Sequence, residues 1–152
     1  GTQVPTRWID QGAVQALPIL GVQTRQQSGL VEDILRRHVA DKTNWRAMLK
    51  GQVETLDPAA ERDRLLALCN AELAALEQRF GLQAIQRLPQ AEAITIAYPV
   101  LQYPAKVVSL DLEKTPTITG TLLGIKGQYL MLDIGVINIR KYGAYHVSFS
   151  VE

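Results

Sequence analysis

Two hydrophobic periods divide the chain. Between Ser28 and about Phe80 the apolar residues recur at helical spacing, and after Pro89 they alternate with polar ones. In Ser28–Ala40, Val31, Ile34, Leu35 and His38 fall at i, i+3, i+4 and i+7, one helix face, with Ser28 where an N-cap belongs. A short helix is predicted from Thr43 to Lys50, stopped by Gly51. The longest element is predicted at Pro58–Phe80. Asp57 suits the N-cap, Pro58 the first helical position, and Glu61 and Asp63 the positive helix start. Leu65, Cys69, Leu73, Leu76 and Phe80 make its apolar stripe, Gly81 ends it, and at 1.5 Å per residue it would span ~35 Å.

In the second half Val108, Leu110 and Leu112 alternate with Ser109, Asp111 and Glu113, and Tyr145, Val147, Phe149 and Val151 with His146, Ser148 and Ser150. Between them lie the strand candidates Ile118–Ile125, Gln128–Leu132 and Val136–Arg140, with Ile94–Tyr98 ahead of them. Lys126-Gly127, Ile134-Gly135 and Tyr142-Gly143 supply turn glycines. The predicted fold class is α+β: a helical N-terminal part with one long helix, then a small antiparallel β-meander or barrel. The expected domains are residues 1–81 and 91–152, joined through Leu82–Gln90.

Composition narrows the class without naming a function. At 152 residues the chain is long enough to bury roughly 70% of its unfolded surface, so no staple is required. Lys+Arg 16 against Asp+Glu 15 gives no basic excess, and no apolar run reaches the length of a membrane span. No membrane partner is therefore expected. The single cysteine, Cys69, rules out an intrachain disulfide and fits a reducing compartment, so the expected location is cytoplasmic. On the apolar stripe Cys69 reads as a buried structural thiol. His38 reads as a core histidine and His146 as a solvent-facing one. The opening residues carry no signal-peptide core and no initiator Met, which suggests a fragment or a processed chain with functional sequence upstream.

Nucleotide-loop, zinc-finger, nucleophile-elbow and His-Glu metal motifs are absent. What the sequence offers instead is two dense polar clusters. Thr6–Gly12 contains Arg7, Trp8, Asp10 and Gln11; Asp41–Arg46 contains Asn44, Trp45 and Arg46. They read either as two helix caps with anchoring indoles or as two walls of one polar site. Glu32 precedes Arg36 by four residues, so a surface ion pair is its simplest role. In the β half Lys126, Arg140 and Lys141 are interleaved with Tyr129, Tyr142 and Tyr145. Such a mixture can bind single strands by stacking and phosphate contact, although five acidic residues balance five basic ones from Glu92 on. The plain alternative is a solvated rim.

The runs Pro5–Ala13, Asp41–Arg46, Gly124–Leu130 and Val136–Lys141 resemble an uncharacterised bacterial family, the domain-of-unknown-function family numbered 2797, over nearly the whole chain. The resemblance implies no established activity. It implies further sequence upstream, with cysteines that look like a zinc site, so no metal site follows from it here. The order Arg7, short helix, strand-like Ile19–Val22 and a helix bearing Glu32 is also similar to nucleases of the GIY-YIG type. That likeness implies Arg7 as a catalytic stabiliser of phosphate charge and Glu32 as catalytic ligand of a divalent metal such as Mg²⁺. Both tyrosine motifs of those nucleases would lie upstream of Gly1. The expectation is thus a nucleic-acid-binding or nucleic-acid-processing protein with DNA or RNA as partner. The alternative is a non-catalytic protein-interaction or structural module.

Overall fold

A computed structural model describes residues 6–40, 44–52 and 56–151. Pro5 of the first quoted run and Asp41–Thr43 of the second lie outside the described residues. In chain order the elements are α1 (Thr6–Asp10), β1 (Gln15–Ala16), β2 (Leu20–Val22), α2 (Arg25–Leu35), α3 (Trp45–Leu49), α4 (Pro58–Leu68), α5 (Asn70–Phe80), β3 (Ile85–Arg87), β4 (Ile94–Thr95), β5 (Leu122–Lys126), β6 (Tyr129–Leu132) and β7 (Gly135–Asn138). A 3-10 helix, Ile139–Tyr142, follows β7. The class is α+β. The strands form two antiparallel pairs, β1–β4 and β2–β3, and one meander, β5–β6–β7; none of the three sheets closes into a barrel. Among the described residues no helix is long and apolar enough to cross a membrane.

The chain forms two compact units, each assembled from separated stretches. The first contains Gly1–Val14, Asn44–Val53 and Ile96–Glu152; the second contains Gln15–Thr43 and Glu54–Thr95. The expected joint at Leu82–Gln90 is itself structured, because β3 within it pairs with β2.

In the second unit the first helix starts earlier than its apolar period suggests. Thr24, not Ser28, is the N-cap: its hydroxyl accepts from Gln27 N at 3.2 Å, and Gln27 Oε1 accepts from Thr24 N at 2.9 Å. This reciprocal box satisfies otherwise orphaned N–H groups and allows the Gln27 carboxamide to be buried. The helix ends at Leu35, so His38 lies beyond it. Val31 and Ile34 pack with Cys69, Leu73 and Ile85 into one core, bordered by Leu20, Val22, Leu66, Leu76 and Phe80.

The predicted long helix is two helices, interrupted at Cys69, whose φ −97° and ψ 6° leave helical geometry. Its ends are as the sequence indicates. The Asp57 carboxylate accepts from Ala59 N and Ala60 N at 2.9 and 3.3 Å, and Gly81 stops α5 at φ 93°. Leu65, Cys69 and Leu73 all stay buried across the interruption. Arg87 of β3 is fastened to α5 by Glu77 Oε1 at 3.1 Å and Asn70 Oδ1 at 2.9 Å.

In the first unit β5 and β6 join through Lys126-Gly127-Gln128-Tyr129, and β6 and β7 through Asp133-Ile134. Met48, Leu49, Tyr129, Met131 and Val136 form one core cluster, and Leu132, Ile137 and Tyr142 another. The register of β5 shifts between Leu122 and Gly124. There Pro99 and Val100 approach so closely that a Cβ at Gly124 would lie 2.9 Å from Val100 Cα, and Ile125 N donates to Pro99 O at 2.9 Å. The segment thus covers an edge that would otherwise offer unpaired backbone groups. Two predicted strands are not formed. Residues 108–112 run beside β7 through a single bridge, Ser109 to Val136. Residues 145–151 join no strand among the described residues and expose their apolar members, Phe149 at 70%, although Tyr145 Oη donates to Glu113 Oε1 at 2.7 Å. Their alternation is real, but no sheet edge among the described residues receives it.

Gly127 carries the sharpest steric demand. Its φ is +59°, and a Cβ there would meet Asp10 O at 2.5 Å. Gly127→Ala should therefore destabilise the chain by ~2–4 kcal/mol in urea unfolding, from the left-handed backbone and the clash together. Gly29 is the contrasting case, with nothing within 4 Å of its would-be Cβ in the middle of α2. Gly29→Ala should stabilise by ~0.5–1 kcal/mol.

Candidate functional site

The meeting of α1 with the β5–β6 turn assembles several of the singled-out residues in the first unit. α1 ends at Asp10, followed by Gly12 at φ +74°. The Tyr98 hydroxyl lies 2.8 Å from Ala13 O and 3.2 Å from Ile9 O, which fixes the chain just after the helix. Gln128 N donates to Asp10 O at 3.0 Å, possible only because Gly127 lets the two backbones approach. The Asp10 carboxylate then reaches Arg140, whose Nη1 lies 2.9 Å from Oδ2.

These contacts frame an open groove of about 430 Å³. Ile125, Leu130 and Ile139 give it an apolar lining, and Asp10, Gln128 and Arg140 supply its polar groups. Arg140 remains 66% exposed at its side chain, so Asp10 orients the guanidinium without consuming it. One of its five N–H donors is occupied there, and the geometry leaves others toward solvent. Among the described residues no hydrogen bond engages the Gln128 carboxamide.

The other expected site residues are spread more widely. Arg7 is exposed on α1, Trp8 half-buried and Gln11 exposed. Asn44 is a cap, its side chain accepting from Ala47 N at 3.2 Å. Trp45 stacks on Tyr129 with ring centres 5.7 Å apart and planes 3° apart, and Arg46 lies 4.3 Å over the indole. The second polar cluster thus combines the helix-cap role with an aromatic anchor. Lys141 is exposed but engaged, by Asp111 Oδ1 at 3.0 Å and Glu113 Oε2 at 3.5 Å. Hydrogen bonds from Lys141 and Tyr142, and then from Glu113 N, hold the Asp111 carboxyl below its ordinary range, and the Asp111 carboxylate in turn raises Lys141.

Two residues expected at a surface rim lie inside. Tyr129 is buried beneath Trp45. Lys126 is 1% exposed, its Nζ 3.3 Å from Met48 O and 3.3 Å from Tyr103 Oη, with the rings of Tyr103 and Tyr98 at 5.0 and 5.8 Å. No carboxylate pairs with it among the described residues. A carbonyl near the C-terminal end of α3, a phenol and two aromatic faces replace its water. Lysine beside a turn glycine suggests exposure, and only the fold shows the strand end turned inward.

Glu32 belongs to the second unit and Arg7 to the first. Glu32 is exposed on α2, and Arg36 pairs with Asp33 at 3.3 Å instead of with Glu32. Asp10, of the same polar cluster as Arg7, is paired with Arg140. The groove residues that sequence reasoning passed over are Gln128, Ile125, Leu130 and Ile139. The available signal was the Gly-Gln-Tyr run immediately after a turn.

The chain belongs to the family described as "Protein of unknown function (DUF2797)", which matches residues 1–147. No curated protein and no solved structure matches it. The likeness to GIY-YIG nucleases is not shown by these comparisons.

The buried ammonium gives a measurable contrast. Lys126→Ala should cost ~2–4 kcal/mol in urea unfolding, because it opens a cavity among Met48, Tyr98 and Tyr103. Lys126→Met keeps the stem and removes a desolvated charge, and should stay within ~1.5 kcal/mol of the parent.

Proposed function

We propose, for this member of the DUF2797 family, that the first unit binds single-stranded nucleic acid, with one base in the groove beside α1 and a flanking phosphate at Arg140. The observation that carries the reading is the groove itself: an apolar lining with an uncommitted carboxamide and an oriented, solvent-facing guanidinium at its edge. A base placed against Ile125, Leu130 and Ile139 buries its faces and presents its edge to the donor and acceptor of Gln128. Arg140 supplies charge-assisted hydrogen bonds to a phosphate oxygen. The volume falls in the range of small-ligand clefts, roughly 300–1,000 Å³. Its openness favours one unit of a polymer over an enclosed metabolite. The near-zero net charge implies few phosphate contacts and modest salt dependence. Arg7 and Arg46, exposed in the same unit, are the further cations available to a strand.

A specific observation favours a second reading, a protein-interaction module. Tyr145, Val147, Phe149 and Val151 form an exposed alternating segment suited to pairing with another chain.

The test is fluorescence anisotropy with labelled single- and double-stranded DNA and RNA, with and without Mg²⁺ or Mn²⁺. Single strands should bind, Gln128→Ala and Arg140→Ala should each weaken binding ~10-fold, and Arg140→Ala should lower the salt slope by about one. Strand cleavage that requires metal and is lost in Arg7→Ala and Glu32→Gln would extend the reading to a nuclease. Absence of binding, or variants that bind like the parent, would contradict it. Self-association abolished by Phe149→Ser would then favour the module.

A further inference from the structure

The second unit brings together three side chains that lie far apart in the sequence or were read as structural. His38 follows the end of α2, Cys69 sits at the interruption between α4 and α5, and Glu72 lies one turn further along α5, on the same face as Cys69. One ligand atom of each lies within 4.8 Å of the others. Cys69 is fully buried, and the other two are half-buried. Among the described residues no hydrogen bond joins the three, and none engages the His38 ring. Glu72 has one partner there, Arg37, whose Nη1 lies 2.6 Å from Oε1. Arg64 holds the backbone at this point, donating to His38 O at 3.3 Å.

We propose that His38, Cys69 and Glu72 bind one Zn²⁺ ion, with water as its fourth ligand. Nitrogen, sulfur and oxygen donors in one cluster suit zinc, whereas Mg²⁺ and Ca²⁺ require oxygen cages. Bond lengths of ~2.3 Å to sulfur and ~2.0–2.2 Å to nitrogen and oxygen place tetrahedral ligand atoms roughly 3.4–3.6 Å apart. The cluster must therefore contract by up to about 1.4 Å, which the His38 ring, engaged by no hydrogen bond among the described residues, can supply by turning about its side-chain torsions while Arg64 holds its carbonyl. Binding releases the Cys69 thiol proton to solvent and takes the imidazole in its neutral form. Thiolate and carboxylate then balance the two charges of the ion. Arg37, 59% exposed, becomes the outer partner of the metal-bound carboxylate. Three protein ligands and one water leave an exchangeable position, the coordination of a reactive rather than a closed site.

The experiment is zinc titration of the chelator-treated whole chain in competition with a chromophoric chelator, repeated with Co²⁺. One zinc should bind per chain. Cys69→Ala, His38→Gln and Glu72→Gln should each weaken binding by ~10-fold or more, and the thiolate-to-cobalt charge-transfer band should vanish in Cys69→Ala. His146→Gln, in the other unit, should bind like the parent. Should Cys69→Ala fail to fold, the half-buried His38→Gln and Glu72→Gln decide the matter. No bound zinc, parental affinity in those two variants, or an equal loss in His146→Gln would overturn the site.

Discussion

The approach of α1 to the β5–β6 turn is the constraint from which the first unit's candidate site follows. Asp10 uses both its groups there: its carbonyl receives Gln128 N, and its carboxylate receives Arg140. The first of these contacts does not tolerate a side chain at Gly127, whose Cβ would meet Asp10 O. Once the turn is placed, Gln128 and Arg140 lie on the rim of one groove with Ile125, Leu130 and Ile139 between them. The residue before the glycine completes the arrangement from inside, because Lys126 ties the end of β5 to the end of α3 and to Tyr103.

In the second unit the same economy is seen in the core. Cys69, Leu73, Val31, Ile34 and Ile85 meet at the point where α4 gives way to α5. The interruption keeps Leu65, Cys69 and Leu73 on the inside, and it also aims Cys69 and Glu72 toward His38. Burial pushes the Cys69 thiol up from its ordinary range, with the Glu72 charge adding to it. Without a metal the residue is accordingly a quiet core thiol.

Local chemistry was legible where it is self-contained. Asp57 before Pro58, Gly81 after Phe80, Gly51 after α3 and the turn glycine at 127 all act within a few residues, so the sequence displays them. The α+β class followed from the hydrophobic period, but of the six strands read from it only three form the meander β5–β6–β7. What needed partners far along the chain was not legible. Thr24 outcompeted Ser28 as cap because Gln27 closes its box, although Ser28 looked better placed for the apolar stripe. The alternation at Tyr145–Val151 predicted a strand, yet strand formation requires an edge to pair with. Lys126 looked like a rim cation because its burial depends on Tyr98, Tyr103 and Met48, which sequence proximity does not reveal. The groove was legible only in part: Asp10, Tyr129 and Arg140 stood out by type, but Gln128 and the three aliphatic residues did not.

The proposed occupant of the groove between α1 and the β5–β6 turn is a base of a single strand. Photocrosslinking tests it most directly. A single-stranded RNA carrying 4-thiouridine is irradiated with the whole chain, and the adducts are located by peptide mass spectrometry. Adducts are expected on residues 125–130 and 139–140. Adducts concentrated on 145–151, or spread without preference over the exposed surface, would contradict it.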